Sequence, residues 1–361
     1  MPRALVVTIV HRPGDARIAH RQLGALRDAG WSVTYAAPWS TTDDEPADWY
    51  RTVDVPRAVG RRRGAAVRAA RALLRREGPS HDVVLLHDPE LLLALPGLRL
   101  PPVVWDVHED PAAALSDRDW VPGWARRPLG WAVRLLERWA ERRCATLLLA
   151  EPGYRERFRR DHPVVPNVPL VPDEVPAPGT DRVVYLGRIS GSRGARELVE
   201  LGERLRGEVA VELLGYVDQD VADLVAAADA DGRITWHGYV ANDEALARVR
   251  GAAFGLSLLH DEPNYRHSMP TKVLEYLANG LPVLTTPLPE AVAVLQRHDL
   301  GTVVPFGDVD AAEAAIRAGV ADPDGLADRA AAGRAAARTE RTWAVEGPRF
   351  VEVLSAAAGT G

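Results

Sequence analysis

The sequence predicts an α/β protein of two doubly wound domains, each a parallel sheet with helices on both faces. Three observations carry that expectation. Short β-rich apolar runs alternate with helix-length segments from end to end, which is the pattern of parallel βαβ units. The alternation stops once, at Pro163–Gly179, where PVVPNVPLVPDEVPAPG lacks periodicity and admits neither a continuous helix nor a central strand. The length of 361 residues also exceeds the size at which a single hydrophobic core stops growing.

The first domain, expected over residues 1–165, takes its strands from Ala4–Val10, Ser32–Ala37, Val83–His87, Val103–Val107 and Thr146–Ala150, each followed by a helix-length segment. Residues 166–180 are expected to form the linker. The second domain, over 181–339, draws on Arg182–Gly187, Val209–Gly215, Arg233–His237, Phe254–Leu258, Pro282–Thr285 and Thr302–Pro305, interleaved with alanine-rich helices. From Asp324 the tail reads as helix. Its last part, 340–361, is expected to cross back onto the first domain, with Trp343 and Phe350 as anchors.

Composition narrows the class. Charged residues make up 26 % and hydrophobic ones 47 %, as in ordinary globular chains. No apolar run approaches the roughly 20 residues of a membrane span, and MPRALVVTIVHRPG reads as strand and loop rather than a signal sequence, so a cytoplasmic location is expected. Cys144 is alone, which rules out a disulfide within the chain and favours a buried inert thiol. No Cys and His cluster has zinc spacing, and no metal is expected. The net charge of −6 argues against nucleic acid as a partner. Two stretches are strongly basic: RAVGRRRGAAVRAARALLRR at Arg57–Arg76, and Trp120–Trp139, where tryptophans and arginines interleave. They read either as helices held at an anionic membrane surface or as solvated helix faces with tryptophans partly in the core.

In open parallel sheets, ligands collect beyond the carboxyl ends of the strands, and four such places carry chemistry. Gly187-Arg188-Ile189-Ser190-Gly191-Ser192-Arg193-Gly194 follows the first strand of the second domain and opens a helix. Its glycines allow close backbone approach, a helix N-terminus adds amides, and two arginines add charge, which suits a diphosphate; an ordinary glycine-rich turn fits equally well. The second place is SMPTKVLEYLANGLPVLTT, which holds Lys272, the only lysine among 44 Lys and Arg residues. Pro270 suits the first turn of a helix and Asn279-Gly280 its end, so Lys272 lies where free amides and an ammonium meet an anion together. Glu275, one turn on, shares its face and could accept two ribose hydroxyls. The third is Asp106-Val107-His108-Glu109-Asp110 after a first-domain strand, where His108 can donate to a sugar hydroxyl; His87-Asp88 repeats the theme one strand earlier. The fourth is the loop His11-Arg12-Pro13-Gly14-Asp15-Ala16-Arg17, a candidate acceptor site.

These residues carry a resemblance to the retaining nucleotide-sugar glycosyltransferases of glycosyltransferase family 4, across essentially the whole chain. The most specific segments are HDPELL at 87–92, DVHED at 106–110, PNVP at 166–169, YLGRISGSRG at 185–194 and PTKVLEYLANGLPVLTT at 270–286. The resemblance implies the GT-B fold, two Rossmann-like domains facing a central cleft. It implies that Gly187, Arg188, Arg193 and Lys272 hold the donor diphosphate, with Arg193 standing where the family has lysine. Glu275 matches the second of two glutamates that bracket sugar and ribose, and His267 stands in place of the first. Tyr265-Arg266-His267-Ser268-Met269-Pro270 replaces the family's E-G-F-G turn, so Ser268, Met269, Pro270 and Thr271 join the donor-binding set. A branch with P-x-K-x-x-E-Y, many of whose members handle hexosamine or deoxy-sugar donors, looks similar.

On the first domain, His108 matches the histidine placed near the transferred sugar, and His11, Arg12, Gly14, Arg17, His87, Asp88 and Glu109 are the acceptor-side candidates. The implied catalytic set is His108, Arg188 and Lys272, with cations in the role a metal plays elsewhere and no cofactor. The implied activity moves a sugar from a UDP- or GDP-type donor to an acceptor in cell-surface polysaccharide, glycolipid or natural-product biosynthesis. A nucleotide-sugar epimerase or hydrolase of the same fold, or a non-catalytic nucleotide-sugar-binding homologue, is the alternative.

Overall fold

The computed structural model describes residues 1–42, 44–108, 123–263, 265–266 and 268–360; of residues 123, 125 and 126 only the backbone is described. The chain divides into two compact units, Met1–Asn167 with Ala344–Gly361, and Val168–Trp343.

The first unit holds a six-stranded sheet built of β1 (Arg3–Val7), β2 (Ser32–Ala37), β3 (Arg51–Asp54), β4 (Val83–Leu86), β5 (Val103–Val107) and β6 (Thr146–Leu149) in the order β3-β2-β1-β4-β5-β6. Every pairing is parallel. The strands are near-continuous apolar runs because both faces are covered, as in β4, VVLL, where all positions are buried. The sequence reading missed β3. Its RTVD lies at the sheet edge and is largely exposed, so it carries no apolar run to signal a strand.

The second unit repeats the architecture with β7 (Arg182–Leu186), β8 (Ala210–Leu214), β9 (Thr235–Trp236), β10 (Phe254–Ser257), β11 (Val283–Thr285) and β12 (Gly301–Val303), again all parallel. Its order, β12-β11-β10-β7-β8-β9, is the same arrangement read from the other edge. Both sheets are therefore Rossmann-like, with the order reversing between β1 and β4 and between β7 and β10.

The proline-rich stretch forms no helix or extended strand. Val164 makes a single bridge to Leu149, and the Pro172 and Asp173 carbonyls accept from Arg334 and Arg338 of the helix Pro323–Glu340. Those side chains satisfy main-chain oxygens that no sheet or helix would reach. Cys144 follows the helix Gly123–Arg143 directly, and burial pushes its thiol up to about 12, so it is inert at neutral pH.

Candidate functional site

In the second unit, chemistry gathers where β7 and β10 part. The two strands pair only at Phe254–Val183 and Gly255–Val184. Beyond that register the Tyr276 hydroxyl enters the gap, accepting from the Leu186 amide at 2.7 Å and donating to the Leu256 carbonyl at 3.2 Å. Gly255 makes this possible, because a Cβ there would lie 2.2 Å from the Tyr276 ring. The helix Thr271–Ala278 is thus seated over the parting strands, with all seven residues from Lys272 to Ala278 buried.

One turn before Tyr276, and on the same face, stands Lys272. Its residue is 6 % exposed, and its ammonium lies 3.4 Å from the centre of the Tyr185 ring. Among the described residues Nζ has no hydrogen-bond partner. Burial, followed by the nearby charge of Arg193, pushes its pKa well below the usual lysine value, with Glu275 opposing. Gly187, the first residue after β7, has φ +114°, and a Cβ built on it would meet Lys272 Cε and Nζ at 3.8 Å. The positive φ is what calls for glycine here, since a Cβ would make only ordinary contact with the lysine. A desolvated cation without an acceptor, at a helix N-terminus beside a glycine turn, fits an anion.

The other predicted donor residues divide. Arg193 reaches over the Tyr265 ring, 5.6 Å from its centre. Arg188 is turned onto Asp218, which takes a fork from Nε at 2.7 Å and Nη2 at 2.6 Å, and its side chain is 62 % exposed. Met269 and Glu275 are buried, while Ser268, Pro270 and Thr271 are half-buried around the helix start, with Pro270 as the residue preceding it. His267 lies outside the described residues.

In the first unit a second polar cluster sits beyond β1, β4 and β5. Asp15 begins it by accepting from the Arg17 and Ile18 amides at 2.9 and 3.1 Å. The helix that follows, Ala16–Leu23, has π geometry, and its wider turn brings Arg17, Ile18, Arg21, Gln22 and Leu23 inward together. Arg17 then forks onto Asp106 at 2.8 and 2.7 Å, and Gln22 adds a third bond at 2.8 Å. Asp106 is fully buried at the end of β5; burial would raise its carboxyl, yet the charge and bonds of Arg17 hold it well below the usual range.

His87 and His108 flank that carboxylate. His87 Nδ1 is 3.2 Å from it, and burial outweighs this partner, lowering the imidazole pKa so that it stays neutral. His108 Nδ1 faces the Asp106 carbonyl at 3.2 Å, so that nitrogen bears the proton. Its Nε2 meets His11 Nε2 at 2.9 Å and accepts from it. Around His11 stand Asp15, 3.6 Å from Nδ1, and Asp88, 3.4 Å from Nε2. Asp88 also accepts from the Thr8 hydroxyl and the Ile9 and Val10 amides.

Ligand atoms of His87, Asp106 and His108 lie within 4.8 Å of one another, close enough to surround an ion. The donor set does not fit one, because Arg17 already covers both Asp106 oxygens and would oppose a second cation. Of the remaining first-domain candidates, Arg17 is buried in this framework, Arg12 pairs with Asp44 at 3.2 Å, and Gly14 lies against the same carboxylate. Glu109 lies outside the described residues. The sequence reading did not include Gln22 and gave no role to Asp106, Tyr185 or Tyr276, which it named only within longer motifs. An acidic residue inside the apolar strand VVWDV was the signal available for Asp106.

Two family models match, one for most of each unit: Glycosyltransferase Family 4 over residues 14–172, and Glycosyl transferases group 1 over residues 180–322. No curated protein matches the sequence significantly. Among solved structures, the chain is similar to sucrose-phosphate synthase from Thermosynechococcus elongatus, at 16 % identity and TM-score 0.70 with 100 % of both chains covered. WaaG, a glycosyltransferase involved in lipopolysaccharide biosynthesis, matches at 15 % identity and TM-score 0.70, over 97 % of this chain and 99 % of that one. Anabaena Alr3699/HepE, solved with UDP and glucose, matches at 13 % identity and TM-score 0.70, over 99 % and 100 %. With both units matched in sequence and the whole chain matched in fold, the protein belongs to the nucleotide-sugar glycosyltransferases of the family 4 type and has the GT-B architecture.

Proposed function

We propose that the protein transfers a glycosyl unit, with retention, from a UDP- or GDP-sugar to an acceptor hydroxyl in polysaccharide, glycolipid or natural-product biosynthesis. The observation that carries this reading is Lys272, a buried ammonium without a hydrogen-bond acceptor among the described residues, over the glycine that follows β7. A donor diphosphate would supply the missing acceptor, and Arg193 would add a second positive charge. Arg188 would join by exchanging Asp218 for phosphate oxygen. Related complexes support the donor class, since HepE was solved with UDP-glucose.

In the reaction, the bond between the anomeric carbon and the β-phosphate oxygen breaks while the acceptor oxygen attacks the same face. The acceptor proton passes to the departing phosphate. Negative charge grows on the diphosphate, and the fixed cations stabilise it there without reorganisation. His108, with a proton on Nδ1 and Nε2 turned to His11, is assigned to orient the transferred sugar. No step requires a metal, and the reading includes none.

The test is a mass-spectrometric screen of UDP- and GDP-sugars against hydroxyl acceptors, run with and without EDTA. Transfer that persists in chelator supports the proposal. Donor turnover without acceptor would favour epimerase or hydrolase chemistry. Binding without turnover in the whole panel would favour a non-catalytic role.

A further inference from the structure

The helix Gly123–Arg143 contributes to the core only through its last turns. Ala140 is buried in the first-unit core with Leu136 and Trp139 packed beside it, whereas no described residue from Trp124 to Leu136 is buried. Its first half carries the most exposed large apolar side chains of the described residues after Met1: Trp124 at 82 % and Trp131 at 76 %, followed one turn on by Leu135 at 55 %. Positions 124, 131 and 135 fall on one face of a helix, and the exposed Arg127, Arg138 and Arg142 fall on or beside the same stripe. The acidic residues of this helix point elsewhere. Glu137 is buried and pairs with Arg134 and Arg157, and Glu141 is buried and accepts from the Arg159 and Arg160 amides. The stripe is therefore apolar and cationic, with no carboxylate of its own helix among its side chains.

The helix Arg63–Glu77 packs into the same core through Ala66, Ala70, Leu73 and Leu74, and turns Arg68 and Arg75 to solvent. It exposes no large apolar side chain, which separates the two basic stretches that looked alike in the sequence. Solvated charge explains Arg63–Glu77 completely. It does not explain two tryptophans held in water one helical face long.

We propose that the stripe of Trp124, Arg127, Trp131, Leu135, Arg138 and Arg142 is a docking surface for an anionic lipid bilayer, with the helix lying in the interface plane. Indole rings settle at the level of the headgroups, where their apolar body and N–H are both satisfied. Guanidinium groups beside them engage lipid phosphates, and their pull adds to the apolar burial. A second copy of the chain is the weaker occupant. Two-fold pairing through this stripe would bring its arginines against their own symmetry mates, with no carboxylate of the helix between them. The inference stands apart from the donor-site reading, because vesicle binding requires no turnover.

The experiment is co-sedimentation of the full chain with vesicles of phosphatidylcholine alone or with about one third phosphatidylglycerol, at low and high salt. The wild type should pellet with the anionic vesicles at low salt, shift its indole emission to shorter wavelength, and release as salt rises. Trp124→Ala with Trp131→Ala should bind about 10-fold or more weakly while melting at the wild-type temperature, since both side chains are exposed. Arg127→Gln with Arg138→Gln and Arg142→Gln should lose the preference for phosphatidylglycerol. Three results overturn the proposal: no wild-type binding at low salt, unchanged binding by the tryptophan variant, or a dimer in solution that the tryptophan variant abolishes while vesicle binding is absent.

Discussion

Replacing Lys272 by methionine should move stability and nucleotide affinity in opposite directions. Without ligand, Nζ is nearly excluded from water, has no hydrogen-bond acceptor among the described residues, and rests on the Tyr185 ring at 3.4 Å. A buried donor without an acceptor costs about 1–3 kcal/mol and more when charged, while a desolvated cation–π contact returns about 2 kcal/mol. Methionine keeps the length and flexibility of the stem and its contact with the ring, without the charge. The balance predicts that Lys272→Met raises the unfolding free energy by about 1 kcal/mol. Against a diphosphate the same ammonium forms a charge-assisted bond of about 1.5–3 kcal/mol, so affinity for UDP or GDP should fall about 10- to 100-fold. Lys272→Arg keeps the charge but adds a third planar fork beside Arg188 and Arg193, and is expected to lose turnover as well. Urea unfolding and calorimetric titration read the two quantities. Wild-type binding should also take up protons increasingly as the pH is raised, because an anion at Nζ raises the pKa that burial depresses, and heats in buffers of different ionisation enthalpy count them. A variant destabilised by more than about 1 kcal/mol that binds nucleotide as the wild type does would make Lys272 a structural residue and refute the donor-site assignment.

Three further outcomes are expected. Gly255→Ala should destabilise by about 1–3 kcal/mol in urea unfolding and weaken nucleotide binding with it, because the new Cβ meets the Tyr276 ring and shifts the helix that carries Lys272; unchanged stability would show that the ring moves aside freely. Asp218→Asn releases Arg188, and calorimetry should show nucleotide affinity rising by up to about 5-fold, the equivalent of the ~1 kcal/mol held by an exposed pair; weaker binding would mean that Asp218 positions Arg188 rather than competing for it. Stability should fall as pH drops below the ordinary histidine value of 6.5, because buried His87 and His162 have lowered pKa values and protons bind the unfolded chain first, and it should fall again below the ordinary Asp value of 3.8, where Asp106 behaves likewise. A urea midpoint that holds or rises between neutral pH and pH 5 would contradict the first of these steps.

Element identity was legible wherever burial repeats along the chain. Every strand except β3 overlaps a stretch read as a strand, and the central ones are the plainest apolar runs, because a parallel sheet covered on both faces must be apolar there, whereas the edge strands β9 and β12 are only partly buried. The edge strand RTVD had nothing to bury on one side and left no mark. The glycine loop and Lys272 were legible as types of residue at the ends of strands, since ligand sites in this architecture lie there. What stayed hidden was which polar residues answer each other. Arg17 was read as an acceptor-side group, but the π turn of Ala16–Leu23 directs it inward to Asp106, and no periodicity in the sequence announces a π turn. Arg188 was read as a phosphate ligand, and its pairing with Asp218 arises from neighbouring loops thirty residues apart in sequence. Such pairs depend on strand order, which a list of strands does not contain.

The two units share one strand order, yet their parting strands hold opposite chemistry, and under the proposed function that difference makes the second unit the expected nucleotide site. In the first βα turn of a nucleotide-binding Rossmann unit, backbone amides are left open for a diphosphate. In the first unit those amides are closed: Asp88, arriving after β4, accepts from Ile9 and Val10 just beyond β1, and Thr8 adds its hydroxyl. Asp15 and Asp106 place two more carboxylates nearby, both held ionised. A diphosphate would meet filled donors and like charge there, whereas sugar hydroxyls would find carboxylates and imidazoles suited to them. In the second unit the corresponding gap is filled by a neutral hydroxyl, Tyr276, and the free charge beside it is the ammonium of Lys272. Titration of the protein with UDP or GDP should therefore show one site per chain, weakened about 10- to 100-fold by Lys272→Met and insensitive to His87→Asn. A second site of similar affinity, lost when His87 or Asp88 is altered, would show that closing the first βα turn does not exclude the nucleotide.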